Sequence, residues 1–378
     1  MKKILVVILF VFLNVLYCGQ RPSLPAETEP LFVIQKGGKF GFIDRTGKLI
    51  IQPIYDNARD YCEGYAAVCI GAKPDTYRYS LRGGKWGFID KLGKIIIDIQ
   101  YDYVINYSGG YAAVNIGGNT EYFNPEYTSI GGKWGFIDKK GKFIIKPDNY
   151  GEVRSFSHSL VAIKVRNKWG YFDSMFNTVI LPQYLRANVF YEQLALVSPG
   201  EKWGYIDRKG KYIIKPQFIS AGNFHEGLAW IKQEGKYSYN PSGGCLRSGW
   251  HEYGHKYGFI DKYSNIVIDS IYDGADDFSE GKAPVKINGK WGYIYKNGKY
   301  FIAPQYEEAR KYSEGFAAVK INNEWGFIDS KGYFAVTPRY KNNYTYVNDF
   351  RGGLSRIDSA RMWAYIDTTG KYIWPFTK

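Results

Sequence analysis

Apolar positions come in short runs along this chain, and polar or glycine-rich clusters interrupt them at regular spacing. "GYID" and "YIIKP" are representative: consecutive apolar residues, then Asp, Lys or Pro. Runs this short, rich in β-branched and aromatic residues and bounded by turn formers, predict strands. Long Ala/Glu/Leu/Lys runs of helical period are missing. Neighbouring side chains on a strand point to opposite faces, so consecutive apolar positions predict small sheets that want cover on both sides.

The interruptions are periodic. An aromatic residue followed by Gly recurs at Phe40, Trp86, Trp134, Trp169, Trp203, Tyr257, Trp291 and Trp325, and a ninth copy at Trp363 has Ala364 in the Gly position. Four residues after the aromatic comes Asp44, Asp90, Asp138, Asp173, Asp207, Asp261, Asp329 or Asp367, with Tyr295 the exception, and three further on Gly is the rule. Asp at the first and Gly at the fourth position mark a type I turn, in which the carboxylate accepts turn amide protons. These aspartates are therefore turn residues, and none stands out from its equivalents as a catalytic carboxylate. Pro falls 13 residues after the aromatic at Pro53, Pro147, Pro182, Pro216, Pro304 and Pro338. Without an N–H to donate, it belongs at a strand end or a sheet edge. Each unit reads as three strands and a return, stacked on its neighbours as blades or coils are.

The stretch "NGKWGYIYKNGKYFIAPQYEEARKYSEGFAAVKINNEWGFIDSKG" resembles the WG (KWG) repeat family, tandem units found widely in bacterial proteins, many of them exported. Where nothing is inserted, successive aromatics stand 34 or 35 residues apart, and the resemblance covers residues 30–378. It implies an all-β array of nine units, β-propeller-like, with an open β-spiral or solenoid as the alternative. It brings no catalytic residues. Nine units exceed the usual four to eight blades, a count that equally suits an open array.

Function in a repeat protein is sought where the copies differ. From the EG-type position to the next aromatic there are 10 residues in five units, but 22, 24 and 30 counted from Gly64, Gly110 and Gly227. All three insertions enter the hairpin between the first and second strands, so all should decorate one face. They read "GAKPDTYRYSLRGG", "GGNTEYFNPEYTSIGG" and "GKYSYNPSGGCLRSGWHEYGH". Aromatic rings beside small polar residues suit adaptable recognition loops, since a ring gives large contact area at little entropic cost. The candidate binding residues are Tyr77, Tyr79, Tyr122, Phe123, Tyr127, Tyr239, Trp250 and Tyr253, and the expected partner is a protein or a carbohydrate. The competing reading is that these loops merely cap the array. The last unit adds "KNNY" before its first strand, which fits a terminal repeat that caps the stack and carries no function.

Composition agrees with strands and tight turns: 18% aromatic residues, including 35 Tyr, beside 43 Gly. The formal charge is +14. Much of it comes from lysines recurring at hairpin positions, which reads either as a solvated repeat surface or as attraction to anionic partners such as lipid headgroups, acidic polysaccharide or nucleic acid, the last least favoured because the chain reads as exported and shows no nucleic-acid motif. "MKKILVVILFVFLNVLYC" has two lysines, an apolar run from Ile4 to Leu16 and then Cys18. Residues 1–18 read as a signal peptide of lipoprotein type, too short to be a spanning helix. Cys18 is the candidate lipidation site, although Tyr17 departs from the small residue usual before it, and several acyl chains on one cysteine suffice for anchoring. If it is not lipidated, the protein is periplasmic or secreted. Residues 19–29, with two prolines and a third directly after them at Pro30, read as a tether. Cys62, Cys69 and Cys245 are too few for a disulfide framework.

"HEYGH", residues 251–255, spells the HExxH zinc-protease pattern. That pattern needs a helix to place two histidines one turn apart. Here Gly254 and an adjoining strand forbid one, and His158 and His225 lie outside the insertion. The sequence shows no GxSxG elbow, no phosphate loop and no cysteine with an evident histidine partner. His158 reads as a turn residue. The expectation is a non-enzymatic binding or scaffold protein without cofactor or metal. The alternatives are a purely structural envelope protein and, behind it, a metal-dependent hydrolase.

Overall fold

The computed structural model describes residues 30–75, 80–121, 128–233, 237–239, 250–252, 255–341, 346–359 and 362–377. Among them, nine antiparallel sheets of three or four strands follow one another in chain order, and a separate two-stranded hairpin belongs to one insertion. The eighth sheet shows the plan. Glu308–Ala309 is a short opening strand, Ala317–Ile321 a buried strand, Glu324–Ile328 the aromatic strand and Phe334–Lys341 the proline strand, hydrogen-bonded in that order. The two-residue opening strand is the return that the pattern left unassigned. It is too short to carry a period of its own.

Burial follows the strand order. The buried strand Leu194–Ser198 is covered on both faces throughout, and the aromatic strand Lys168–Asp173 is covered on both faces over its central residues. The proline strand differs from expectation. Leu49–Tyr55 buries Ile51 and Tyr55 but exposes Ile50 and Ile54, because it lies at the sheet edge and only one of its faces meets a neighbour. Consecutive apolar residues there do not mean cover on both sides.

A two-residue excess in the proline strand explains both the glycine and the proline of the repeat. Phe42 pairs with Ile51 but Phe40 pairs with Tyr55, so four residues of one strand span two of the other. The resulting bulge presses on Gly41: a Cβ there would stand 2.5 Å from the Ile51 carbonyl oxygen and 2.8 Å from the Pro53 nitrogen. Pro53 has no N–H to leave unpaired in the bulge. In the last unit Tyr365 pairs with Trp374 and Trp363 with Thr377, a bulge one residue shorter, and Ala364 stands where the other units have Gly. The third unit shares that shorter bulge and keeps Gly135.

Adjacent sheets are joined by a repeated pair of rings. The aromatic two residues after the WG aromatic meets the ring that closes the next unit's opening segment. The pairs run from Phe42–Tyr61 at 5.0 Å and Phe88–Tyr107 at 4.8 Å to Phe327–Phe350 at 4.7 Å, with eight such junctions in all. Where the first ring is Tyr its hydroxyl donates to the neighbouring sheet, as Tyr293 does to the Arg310 carbonyl at 2.7 Å. The ninth junction closes the circle. Tyr365 of the last sheet meets Phe32 of the first at 5.5 Å and donates to the Val33 carbonyl at 2.9 Å, and Phe40 meets Trp363 at 5.4 Å. Phe32 stands at the strand position that Ala66, Ala112 and Ala317 hold elsewhere, so its extra bulk supplies the ring at this junction. The array is a closed nine-bladed β-propeller, not an open spiral. Its last unit faces the first rather than capping a stack.

Replacing Phe327 or Phe88 with Ala removes a fully buried ring and is expected to cost roughly 3–4 kcal/mol. Phe32→Ala should cost a similar amount, measured by denaturant unfolding, because it opens the ring at its only seam. A loss below about 1 kcal/mol at Phe32 would mean that the seam does not hold the circle together.

Candidate binding face

Strand order gives the ring two dissimilar faces. The turn from opening to buried strand, in the blades that have one, and the Asp-to-Gly turn lie at the same end of the blade, and in the eighth Tyr312 ties them by donating to the Asp329 carbonyl at 3.0 Å. The hairpin from buried to aromatic strand and the junction to the next blade lie at the other end. Lys39 of one hairpin pairs with Asp56 of the following junction, and Lys85 pairs with Asp102 at 2.5 Å.

The Asp-to-Gly turns have the predicted geometry. The Gly47 amide donates to the Asp44 carbonyl at 3.1 Å, while Asp44 Oδ1 accepts the amides of Thr46 and Lys48 at 2.8 and 3.0 Å. In the exceptional unit Asn297 Oδ1 takes the Lys299 amide, which supplies the acceptor that Tyr295 lacks. The second turn on this face holds two successive residues in the left-handed region, as Glu314 and Gly315 do at φ 52° and 83°. Its glutamate reaches the next blade: Glu280 accepts the Gly315 amide at 3.0 Å, and Glu314 accepts those of Gly352 and Gly353 at 2.6 and 2.8 Å. The EG pair is thus a latch between blades. Sequence reasoning used it only as a marker, although an acid repeated at one turn position was a visible signal. His158 occupies that same position at φ 50°, with its ring 3.0 Å from Ser157 Oγ and its pKa held down by burial. It is a turn residue.

Hairpins on the opposite face turn through two left-handed residues, Gly37–Gly38, Arg166–Asn167, Asn288–Gly289 and Asn322–Asn323, the geometry that suits twisted strands. The insertions depart at this point. In the second blade pairing continues past the turn position from Ala72↔Gly83 to Asp75↔Ser80, and in the third from Gly118↔Gly131 to Glu121↔Thr128. In the sixth blade Tyr237–Tyr239 pairs with Trp250–Glu252 as a separate hairpin. All three insertions belong to one face, as expected.

The bases of two ribbons are fixed by residues that the sequence reading passed over. Asp56 accepts the Gly71 and Ala72 amides at 2.6 and 3.1 Å as well as Lys39, and Asp102 accepts the Gly117 amide at 2.7 Å as well as Lys85. Burial works against the charge of Asp56, but the Lys39 ammonium and the Gly71 amide outweigh it and hold the carboxyl below its usual range. Glycine is required where the ribbon leaves: Gly84 has φ 80°, and a Cβ there would meet the Ala72 nitrogen and Cys69 Sγ at 2.7 Å. Cys62 and Cys69 are buried; the Asn106 amide donates to Cys62 Sγ at 3.6 Å, and burial pushes the Cys69 thiol up to about 12.

Of the candidate contact residues, Tyr77, Tyr79, Tyr122, Phe123, Tyr127 and Tyr253 lie outside the described residues, as do Cys18 and Cys245. Tyr239 and Trp250 sit opposite each other in the sixth blade's hairpin and are described by their backbone alone. His251 pairs with Ser238 on a strand and His255 immediately precedes the strand Lys256–Asp261, so the helical spacing that HExxH needs is absent from those residues. Among the described residues, no three His, Cys, Asp or Glu side chains are grouped to hold a metal ion.

A closed ring of nine four-stranded or three-stranded blades, with loops raised on one face, defines a β-propeller repeat protein. The WG containing repeat family matches at residues 40–73, 86–119, 134–169, 169–203, 203–237, 257–291, 291–325 and 325–358, and the chain belongs to it. No curated protein matches the chain in sequence. Among solved structures, a eukaryotic initiation factor is similar over 93% of this chain and 97% of its own, with TM-score 0.59 and 10% identity. Apo AztD from Citrobacter koseri covers 92% and 96% with TM-score 0.39 and 9% identity, and Kluyveromyces lactis Hsv2 covers 68% and 89% with TM-score 0.35 and 8% identity. At such identity the likeness to the initiation factor concerns the fold alone.

Asp56→Asn should loosen the first ribbon and lower stability by about 1 kcal/mol at pH 7. The folded carboxyl titrates below its ordinary value, so its contribution is complete above the unfolded pKa of about 3.9 and is lost as pH falls through the lower folded value. The difference between the two proteins in urea midpoint is therefore expected to shrink as pH falls below about 4, and a constant difference would count against the clamp.

Proposed function

We propose that this protein is an exported, lipid-anchored binding scaffold of the bacterial envelope, without enzymatic activity, that recognises a protein or glycan partner through the three ribbons. The observation that carries this reading is the placement of all three insertions on one face, above hairpin positions that the first, fourth, seventh and eighth blades close in two residues. A rigid ring that raises adaptable aromatic loops on one side matches how binding loops are held by scaffolds. The closed circle needs no loops to cap it, which removes the reason for long insertions in a purely structural array. Cys18 is the anchoring residue in this reading, and the apolar run before it directs export.

The test compares the chain from Gly19 with a form in which each insertion is cut back to a two-residue turn, both screened against glycans, acidic polymers and envelope proteins. Partner binding should be lost with the ribbons and kept in high salt, while the unfolding midpoint stays within about 1 kcal/mol. Among single changes, Trp250→Ala or Tyr239→Ala at a contact hot spot is expected to weaken binding by about 1–3 kcal/mol. Equal binding by both forms would sink the reading.

A further inference from the structure

The face opposite the ribbons carries a concentration of charge that the binding reading does not use. Across its nine Asp-to-Gly turns, residues 44–48, 90–94, 138–142, 173–177, 207–211, 261–265, 295–299, 329–333 and 367–371, there are fifteen Lys or Arg against eight Asp. The excess is half the net charge of the chain. The aspartates are turned to their own turn amides, as Asp207 Oδ1 is to Lys209 and Lys211 at 2.9 Å each, while Lys94, Lys140, Lys142, Arg208, Lys209 and Lys211 are exposed. The glutamates of the adjoining turns are engaged in the same way by the next blade's amides, and Lys139 and Lys296 pair with Glu63 and Glu226. On the ribbon face several lysines are matched with carboxylates, as in Lys39–Asp56, Lys85–Asp102, Lys256–Asp273 and Lys320–Glu308, while Lys36, Lys133, Arg166 and Lys290 are exposed.

Apolar side chains project from the same turns. Leu92, Met175 and Tyr263 occupy the equivalent third turn position and are 88%, 76% and 71% exposed, among the most exposed large apolar residues described. Large apolar tips amid lysines are what an interfacial surface presents, with the tips entering the headgroup boundary and the cations meeting anionic phosphates. The chain also enters the ring here. Pro30 packs against Gly352, and Arg45 of the first Asp-to-Gly turn lies beside Gly353. The eleven residues between Cys18 and Pro30 span at most roughly 40 Å.

We propose that the Asp-to-Gly turn face of this propeller docks on an anionic phospholipid bilayer and so holds the ribbons outward, away from the membrane. An anchor at Cys18 would then tether the face that the lipid already attracts. The proposal extends the anchored-scaffold reading but does not need lipidation, because docking is read on a chain without the anchor.

The experiment uses the chain from Gly19, which retains every described contact between blades, and vesicles of phosphatidylcholine alone or mixed equally with phosphatidylglycerol. Binding is expected only to the anionic vesicles. Reversing Lys140, Lys142, Lys209 and Lys211 together to Glu should weaken partitioning by at least about 100-fold. Reversing Lys36, Lys133, Arg166 and Lys290 on the ribbon face, an equal change in net charge, should alter it less than about threefold. The triple variant Leu92→Ser, Met175→Ser and Tyr263→Ser should lose about tenfold, and the ribbon-shortened chain should partition unchanged, so partner binding and docking are read separately. Thermal unfolding checks that each variant is folded. Equal partitioning to both vesicle types, or equal losses from the two charge reversals, would overturn the proposal. So would loss of heparin binding by the turn-face variant with partitioning intact, which would make the basic crown a site for a soluble polyanion.

Discussion

Everything in this molecule depends on an edge-to-face contact between two aromatic rings that belong to successive blades. A sheet of three or four short strands has two apolar faces and covers neither by itself. The ring beside the WG motif and the ring that closes the next opening segment meet across that gap. Such a pair contributes about 0.5–1.5 kcal/mol beyond the area it buries, and nine of them in a circle bind every blade on both sides. The circle is why no blade needs a polar cap and why Phe32, at a position that is alanine in other units, carries a ring.

Within the blade three residues divide the geometric work. The bulged proline strand bends toward the glycine of the WG pair, which must lack a side chain to let it pass. Pro sits in the bulge, where a missing donor leaves nothing unsatisfied, and Asp gathers the amides of the turn between the two strands. Each choice agrees with its neighbours, and this consistency across levels is what lets a short unit fold the same way nine times. Departures occur where the local demand changes: Asn297 takes over from a missing aspartate, and Ala364 coincides with a shorter bulge.

The two faces are built from different connections and so admit different variation. Hairpins that close through two left-handed residues can be opened and extended without disturbing the blade, provided glycines stand at the point of departure and Asp56 or Asp102 holds the base. Asp-to-Gly turns cannot lengthen without losing their amide contacts. They vary instead in the side chains at their tips, which here are lysines and a few large apolar residues. Recognition on one face and surface charge on the other are in this sense consequences of which loop each face contains.

The sequence by itself determined the number of units, the three longer strands of each, the turns between them and the hairpin that receives the insertions, because each of these is set by contacts within about ten residues of chain. The spacing of Trp, Asp, Gly and Pro records those contacts directly. Only the tertiary structure decided that the array closes, since Phe32 and Tyr365 are far apart in the chain and nothing local marks their meeting. The inter-blade roles of Glu280, Glu314, Asp56 and Asp102 were hidden for the same reason: each carboxylate looks like a turn residue until the amides it serves, across a blade junction or at a ribbon base, are in place. The ribbon tyrosines were legible as a composition, and the face they share became visible once strand order fixed which end of the blade each hairpin occupies.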